Sequence, residues 1–255
     1  MLPNAIFLNV HMYGIMVAVG VLCAFLIAHF YGKRISLGVK FSDFLFYNGI
    51  ASVAVGLGSA ALFQAVYDYI EDPSGGFRFS GSITFIGGLI GGAVFFLAVY
   101  AIFRKKLDDT LSRALPIVPC AITAAHGFGR IGCFFAGCCY GRATDSFLGV
   151  KFPRLPEAVH PTQLYEAAFL FALFGVLSYL FLKKGFRHTM SVYLVCYGIF
   201  RFAIEFLRDD HRGELVSGIT PSQFWSILMI VIGVALVFVM NALAKRQPVD
   251  VKTEE

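Results

Sequence analysis

At 255 residues, of which 58% are hydrophobic and only 15% charged, the chain is too apolar for an ordinary soluble domain, where about a quarter of residues are charged. A water-soluble enzyme is thereby excluded in favour of an integral membrane protein. The net charge of +5 does not imply a nucleic-acid partner, because membrane topology accounts for most of the basic excess and no RNA or DNA module is visible.

Apolar runs of bilayer-spanning length recur at about 12–32, 44–64, 82–103, 114–135, 161–182, 189–207 and 221–244, which predicts an all-α polytopic fold of seven transmembrane helices. The first run is long and lacks both a basic n-region and a small-residue cleavage pattern, so it is expected to be a retained helix rather than a signal. With no solenoid period and no Gly/Ser-rich or Pro-rich linker, residues 1–255 are expected to form one domain. Lys33, Arg34 and Lys40 follow the first run, Arg104, Lys105, Lys106 and Arg113 the third, Lys183, Lys184 and Arg187 the fifth, and Lys245, Arg246 and Lys252 the seventh. These thirteen of 21 basic residues fall on one side, which predicts an outer amino terminus and a cytoplasmic carboxyl terminus.

The other eight, Arg78, Arg130, Arg142, Lys151, Arg154, Arg201, Arg208 and Arg212, need another reason. An arginine at mid-bilayer depth costs at least about 2.5 kcal/mol, so it faces a partner or a wet cavity. Arg130 and Arg201 are the two most embedded.

Along the chain, "VHMYGIM" puts His11 and Tyr13 at the outer start of the first run, where tyrosine is commonly an interface anchor. Gly56, Gly58, Ser59 and Ala60 in the second run, and Gly87, Gly88, Gly91 and Gly92 in the third, make small-residue surfaces. These permit close helix packing or the close approach of a lipid head group. "HGFGRIGCFFAGCCYGR" surrounds Arg130 with glycines. His126 stands four residues before it, on the same helical face. "HPTQLYEA" places His160, Gln163 and Glu166 around a proline at the start of the fifth run. Gln163 and Glu166 share a face, either as a capping network or as part of an anion site. In "YGIFRFAIEFLRDD", Arg201, Glu205, Arg208 and Asp209 form an i,i+3/i,i+4 ladder, either a local ion pair that aids insertion or one wall of an outer polar cleft. Guanidinium is weakly hydrated and binds phosphate oxygens in a planar, bidentate way, so an embedded arginine pair suits a lipid phosphodiester. The residues alone thus point to an outer-leaflet site for an anionic lipid.

Six cysteines complete the inventory. Cys23, Cys120 and Cys196 sit in apolar helical sequence as small buried residues. Cys133, Cys138 and Cys139 flank the outer end of the fourth run, and three readings stand: a disulfide staple, plain structural cysteines, or an active thiol with a lowered pKa beside arginine. A C-x4-C-C spacing without a second Cys or His pair disfavours both a C-x-x-C redox centre and zinc, so no metal is expected.

In order, these blocks resemble the prolipoprotein diacylglyceryl transferase family over most of the chain, from His11 to Trp225. "RIGCFFAGCCYG", Arg130 to Gly141, is similar to the family's R-I-G-N-F-x-N-G-x-x-x-G signature. Its H-x-Y-G, H-P-x-Q-L-Y-E and R-F-x-x-E-x-x-R blocks resemble His11 to Gly14, His160 to Glu166 and Arg201 to Arg208. The resemblance implies transfer of a diacylglyceryl group from phosphatidylglycerol to the lipobox cysteine thiol of a prolipoprotein, at the outer leaflet of the bacterial inner membrane, with release of glycerol phosphate. It implies no cofactor. Arg130 and Arg201 are then expected to hold the departing phosphate, with Tyr13, Gly141, Gln163, Glu166, Glu205 and Arg208 in the site or its support.

The chain departs from the family pattern at several places, the pair Cys138 and Cys139 standing where members carry other residues. Ile86 stands where members carry a helix 3 histidine, proposed to help deprotonate the acceptor thiol. Cys133 and Ala136 replace the two signature asparagines, and Gly56 replaces an arginine. His126, or else His11, is expected to take the vacant base role. These departures keep two further readings in view: a divergent member with a different acceptor, and a membrane thiol-disulfide oxidoreductase using the cysteine cluster. A lipid-binding scaffold without chemistry is the non-catalytic alternative.

Overall fold

The computed structural model describes residues 11–79, 84–208 and 220–246. Ser82, Asp209, Arg212 and Lys252, and the side chain of Ile86, lie outside what is described. In chain order the helices are α1 (Met12–Arg34), α2 (Val39–Glu71), α3 (Phe85–Phe103), α4 (Leu111–Ala114), α5 (Val118–Ala136), α6 (Thr162–Lys184), α7 (Thr189–Glu205) and α8 (Pro221–Arg246). Two short strands, β1 (Val150–Lys151) and β2 (Ala158–Val159), pair antiparallel between α5 and α6.

Among the described residues, five helices are long and apolar enough to cross a membrane: α1, α2, α3, α6 and α8. The fold is therefore that of a helical membrane protein. At the other two positions anticipated from the sequence lie α5 and α7, of 19 and 17 residues. Arg130 and His126 dilute the apolar character of α5, while α7 carries Arg201 and is the shorter of the two. Helix α2 runs longer at both ends than its apolar core, because nothing breaks it before Asp72–Pro73. A residue preceding proline is driven out of the α region, and Asp72 sits at φ −135°, ψ 86°.

The chain divides into two compact units, one drawn from residues 1–34 and 114–255 and the other from 35–113. In the second, α2 packs on α3 through small residues. A Cβ on Gly56 would come within 2.9 Å of the Gly88 carbonyl oxygen, and one on Gly92 within 2.9 Å of that of Ser52. Ser59 Oγ donates to Gly87 O at 2.9 Å, and Asn48 Nδ2 to Phe96 O at 3.2 Å. Such close backbones are how helices associate in lipid, where apolar burial gives little driving force. An open apolar groove of about 410 Å³ runs beside them, lined by Val53, Leu57, Gly88 and Ala93 among others.

At the start of α2, Asp108 accepts the backbone N–H groups of Phe41 (2.8 Å) and Lys40 (3.0 Å), placing an anion where orphan amides and the helix dipole favour one. Desolvation pushes its carboxyl up, but the two amides outweigh it and hold the group below its ordinary value. A depressed folded-state pKa gives a contribution that is present at neutral pH and lost as pH falls through that value. Asp108→Asn is accordingly expected to speed hydrogen exchange at the Lys40 and Phe41 amides at neutral pH, with little further change on acidification.

The first unit holds the polar residues. Within it α5 packs on α1 and α6, α6 on α7, and α7 on α8. Gly20 lies against the Ala125 carbonyl, and Gly198 against that of Ser226, so the glycines again set the helix spacing. A buried cluster of Cys120, Leu170, Leu173, Leu177, Tyr193 and Tyr197 forms the apolar floor between α5, α6 and α7. Thr189 Oγ1 donates to Pro116 O at 2.8 Å and ties the start of α7 to that of α5.

Candidate active site

Above that floor, three helices turn charged side chains toward one another. Helix α5 is the most amphipathic of the long helices. Its spacing of His126, Arg130 and Cys133 aligns them on one face. Arg130 Nε lies 3.0 Å from Glu166 Oε2 of α6 and donates to His126 Nε2 at 3.3 Å. Glu166 is completely buried. Its other oxygen, Oε1, accepts the Tyr197 hydroxyl at 2.7 Å and lies 3.7 Å from His126 Nε2. The Tyr197 ring meets the His126 ring edge-on, with centroids 5.3 Å apart, and stacks on Tyr193.

A second pair stands along α7. Arg201 Nη1 lies 2.9 Å from Glu205 Oε2, and Glu205 Oε1 accepts the Thr220 hydroxyl at 3.0 Å. Both ion pairs are close but poorly directed. Neither Glu166 Oε2 nor Arg201 Nη1 and Glu205 Oε2 has an aligned hydrogen-bond partner among the described residues. Arg201 interacts electrostatically with Glu166, Glu205 and Arg208, so the two pairs belong to one network. Glu166, Arg201, Glu205 and Arg208 are all screened from water, where charges interact strongly.

The turn after α5 closes the site. Gly141 N–H donates to His160 O at 2.8 Å, His160 N–H to Arg142 O at 3.0 Å, and Arg142 N–H to Leu207 O at 2.8 Å. A bridge between Gly141 and Arg208 joins this turn to the end of α7, so the backbone fixes Arg208 beside it. Gly141 leaves no room for a side chain: a Cβ there would run into the Leu207 carbonyl, Thr162 and His160. Gly141→Ala is expected to destabilise the protein by about 1–3 kcal/mol, the usual cost of overpacking, and thermal melting in detergent is the check.

His160, Gln163 and Glu166 do not cap α6, whose first residues show no side-chain cap. Gln163 Nε2 instead donates to Cys138 O at 2.5 Å, while His160 Nδ1 meets the Tyr165 hydroxyl at 3.2 Å. Tyr13 is part-exposed on α1 and packs over Gly132. It lies near Arg130 and the three cysteines at the end of α5. His11 is exposed at the start of α1. Gly87 and Gly88 belong to the other unit, where Phe63, Ala60 and Gly56 surround them. Tyr197 and Thr220 escaped sequence reasoning. Tyr197 had a signal, being one helical turn before Arg201 and so on the face of the charged ladder, whereas Thr220 is joined to Glu205 only through the fold.

All six cysteines are free thiols, and the Sγ atoms of Cys133, Cys138 and Cys139 lie within 4.8 Å of one another. The Cys138 thiol donates to Cys133 O at 3.6 Å, and the neighbouring Cys133 and Cys138 thiols, followed by Arg208 and Arg130, draw the Cys139 thiol down from its ordinary value.

Fold and site together define a helical membrane protein built round buried arginine–glutamate pairs. A family model described as prolipoprotein diacylglyceryl transferase matches residues 3–239. The chain is 35% identical over 243 residues to the phosphatidylglycerol–prolipoprotein diacylglyceryl transferase of Clostridium tetani, covering 92% of this chain and 93% of that protein. It is 36% identical over 250 residues to phosphatidylglycerol–prolipoprotein diacylglyceryl transferase 2 of Clostridium perfringens (94% of each chain). Against the protein of that name from Teredinibacter turnerae it is 34% identical over 240 residues, 90% of this chain and 82% of that one. The chain belongs to the prolipoprotein diacylglyceryl transferase family.

Proposed function

We propose that this protein transfers the diacylglyceryl group of phosphatidylglycerol to the cysteine thiol of a prolipoprotein lipobox, releasing glycerol phosphate. Family membership favours this transferase over the thiol oxidoreductase that the cysteine cluster alone would allow. On the same reading the chain crosses the bacterial inner membrane seven times, with its amino terminus outside and the site facing the outer leaflet. The skew of basic residues to one side supports that orientation.

The observation that carries the reading is the buried pairing of Arg130 with Glu166 and Arg201 with Glu205. A phosphodiester brings one negative charge to the guanidinium groups of Arg130 and Arg201. As the glyceryl C–O bond breaks, a second charge grows on the departing phosphate, and guanidinium groups already gathered beside carboxylates stabilise it. The contacts of Arg130 are made through Nε, and the outer nitrogens of a guanidinium suit bidentate contact with phosphate oxygens. Arg208 and the backbone of the Gly141 turn would flank the head group, with Gln163 and His160 holding that turn. Tyr13 would close the side toward α1. The small-residue surface at Gly87 and Gly88 is proposed to admit the lipid.

His126 is assigned a positioning role, because the Nε2 lone pair that a base would use already accepts Arg130 Nε–H. His126→Gln keeps an acceptor at the place of Nε2 and is expected to retain transfer to within about tenfold, while His126→Ala loses about 10²-fold through misplacement of Arg130. Equal and complete loss in both variants would assign the base role to His126 instead.

The reading is tested with purified protein, a lipobox peptide and lipids of different head-group charge. Release of glycerol phosphate from phosphatidylglycerol, dependent on the peptide's cysteine, is expected. No release above a protein-free control from phosphatidylglycerol with any thiol peptide would refute it.

A further inference from the structure

Three thiols meet where the sequence spacing argued against a ligand set. Gly137, at φ 72°, ends α5 in a Schellman motif: Cys138 N–H donates to Cys133 O at 3.2 Å and Gly137 N–H to Phe134 O at 3.1 Å. In that motif the residue after the glycine lies against the residue five before it, a contact that is ordinarily apolar. Here both residues are cysteine. Cys139 then takes φ 64°, a left-handed conformation uncommon outside glycine, and the turn delivers a third sulfur to the first two. A C-x4-C-C spacing thus behaves like a closer one, because the helix cap folds the intervening residues into a single turn.

Neighbouring elements hold this arrangement. The buried Thr162 hydroxyl donates to Cys139 O at 2.8 Å, and buried Gln163 donates to Cys138 O. Both carbonyls of the turn are therefore fixed from α6. Cys133 and Cys139 are half-buried and Cys138 is exposed, which leaves one side of the cluster open. Arg130 stands one helical turn before Cys133 on α5, on the face that carries that thiol.

We infer that Cys133, Cys138 and Cys139 form a three-thiolate site for a Zn²⁺-type cation whose fourth position takes the acceptor thiol. Thiolates are the ligands that soft and borderline cations select, and three protein ligands with an open fourth position are the pattern of catalytic rather than structural zinc. The acceptor half of the inference rests on the proposed transfer reaction. There the cation supplies what Ile86 cannot, since a coordinated thiol is deprotonated outright. The acceptor R–SH binds the cation and its proton passes to water. The sulfur lone pair then attacks the glyceryl carbon of phosphatidylglycerol and forms the C–S bond. The C–O bond to phosphate breaks, its electron pair leaves on the phosphate oxygen as glycerol phosphate, and the neutral thioether, a poor ligand, dissociates.

The test loads the intact, reduced protein with Zn²⁺ or Co²⁺ in detergent. One equivalent of metal is expected, with thiolate-to-Co²⁺ charge-transfer bands that are lost in the Cys133→Ser/Cys138→Ser/Cys139→Ser variant. Single Cys139→Ser protein, melting as the parent does, should bind more weakly and guards against a folding artefact. A lipobox peptide should shift the Co²⁺ bands when it carries cysteine and leave them unchanged when serine replaces it. Absence of stoichiometric binding, bands that survive the triple substitution, or a disulfide among the three in protein isolated without reductant would overturn the site. Bands indifferent to the cysteine peptide, or undiminished transfer by metal-free protein, would overturn the acceptor role while leaving the proposed function intact. Conversely, a metal-loaded protein whose bands respond to the peptide but which never transfers a diacylglyceryl group counts against the proposed function and not against the site.

Discussion

Arg130→Ala is expected to lower transfer by about 10²–10³-fold or more, the scale at which loss of one preorganised donor to a developing anion is felt. The side chain is held on both sides, by Glu166 at 3.0 Å and by His126 at 3.3 Å. Removing it also strands a fully buried carboxylate whose remaining hydrogen bond comes from Tyr197. Breaking a buried pair from one side costs about 3–5 kcal/mol, so lost stability and lost chemistry have to be separated. The variant Arg130→Ala/Glu166→Gln removes the stranded charge. It should recover most of the melting temperature and none of the activity. Arg130→Lys keeps the charge but not the planar fork, and is expected to fall between parent and alanine. Recovery of activity in the double variant would mean that Arg130 serves the fold alone.

The second large effect is expected at Glu166. It is the hub of the site, joining α5 through Arg130 and His126 to α7 through Tyr197. Glu166→Ala should destabilise by about 3–5 kcal/mol, because Arg130 is left as a buried cation without its counter-charge. Glu166→Gln preserves volume and an acceptor for the Tyr197 hydroxyl, so it should fold well and isolate the electrostatics. With one negative charge fewer the site repels an anionic head group less, so phosphatidylglycerol should bind at least as tightly. Arg130 meanwhile loses the partner that aims it. The expected signature is a kcat lowered by about 10²-fold with KM unchanged or reduced. A raised KM with normal kcat would instead place Glu166 in substrate binding alone.

How much of this was legible in the sequence differs from one residue to the next. Apolar run lengths located each long helix, because membrane insertion demands length and hydrophobicity regardless of partners. Helix ends were harder. The end of α2 depends on Asp72–Pro73 rather than on where its apolar core fades. Arg130 and Arg201 stood out through the cost of an embedded charge, and i,i+4 spacing paired Arg201 with Glu205 correctly. The partner of Arg130 was not legible. Glu166 looked equally like a capping residue, and only the packing of α5 on α6 decides between the two. Tyr197 and Thr220 were missed for the same reason, since a neutral side chain completing a charged network leaves no charge pattern to read. The cysteines show the limit most plainly. Their spacing allowed a disulfide staple but argued against a metal-ligand set, whereas the left-handed turn at Gly137 and Cys139 brings all three sulfurs within 4.8 Å.

The most direct test is the mass of the acceptor. Purified protein is incubated with phosphatidylglycerol labelled in its diacylglycerol part and with a lipobox peptide, and the peptide is analysed by mass spectrometry. The expected product carries one labelled diacylglyceryl group as a thioether on its cysteine, forms in step with released glycerol phosphate, and is absent with Arg130→Ala. A peptide that stays unmodified under conditions in which the protein remains folded would contradict the assignment.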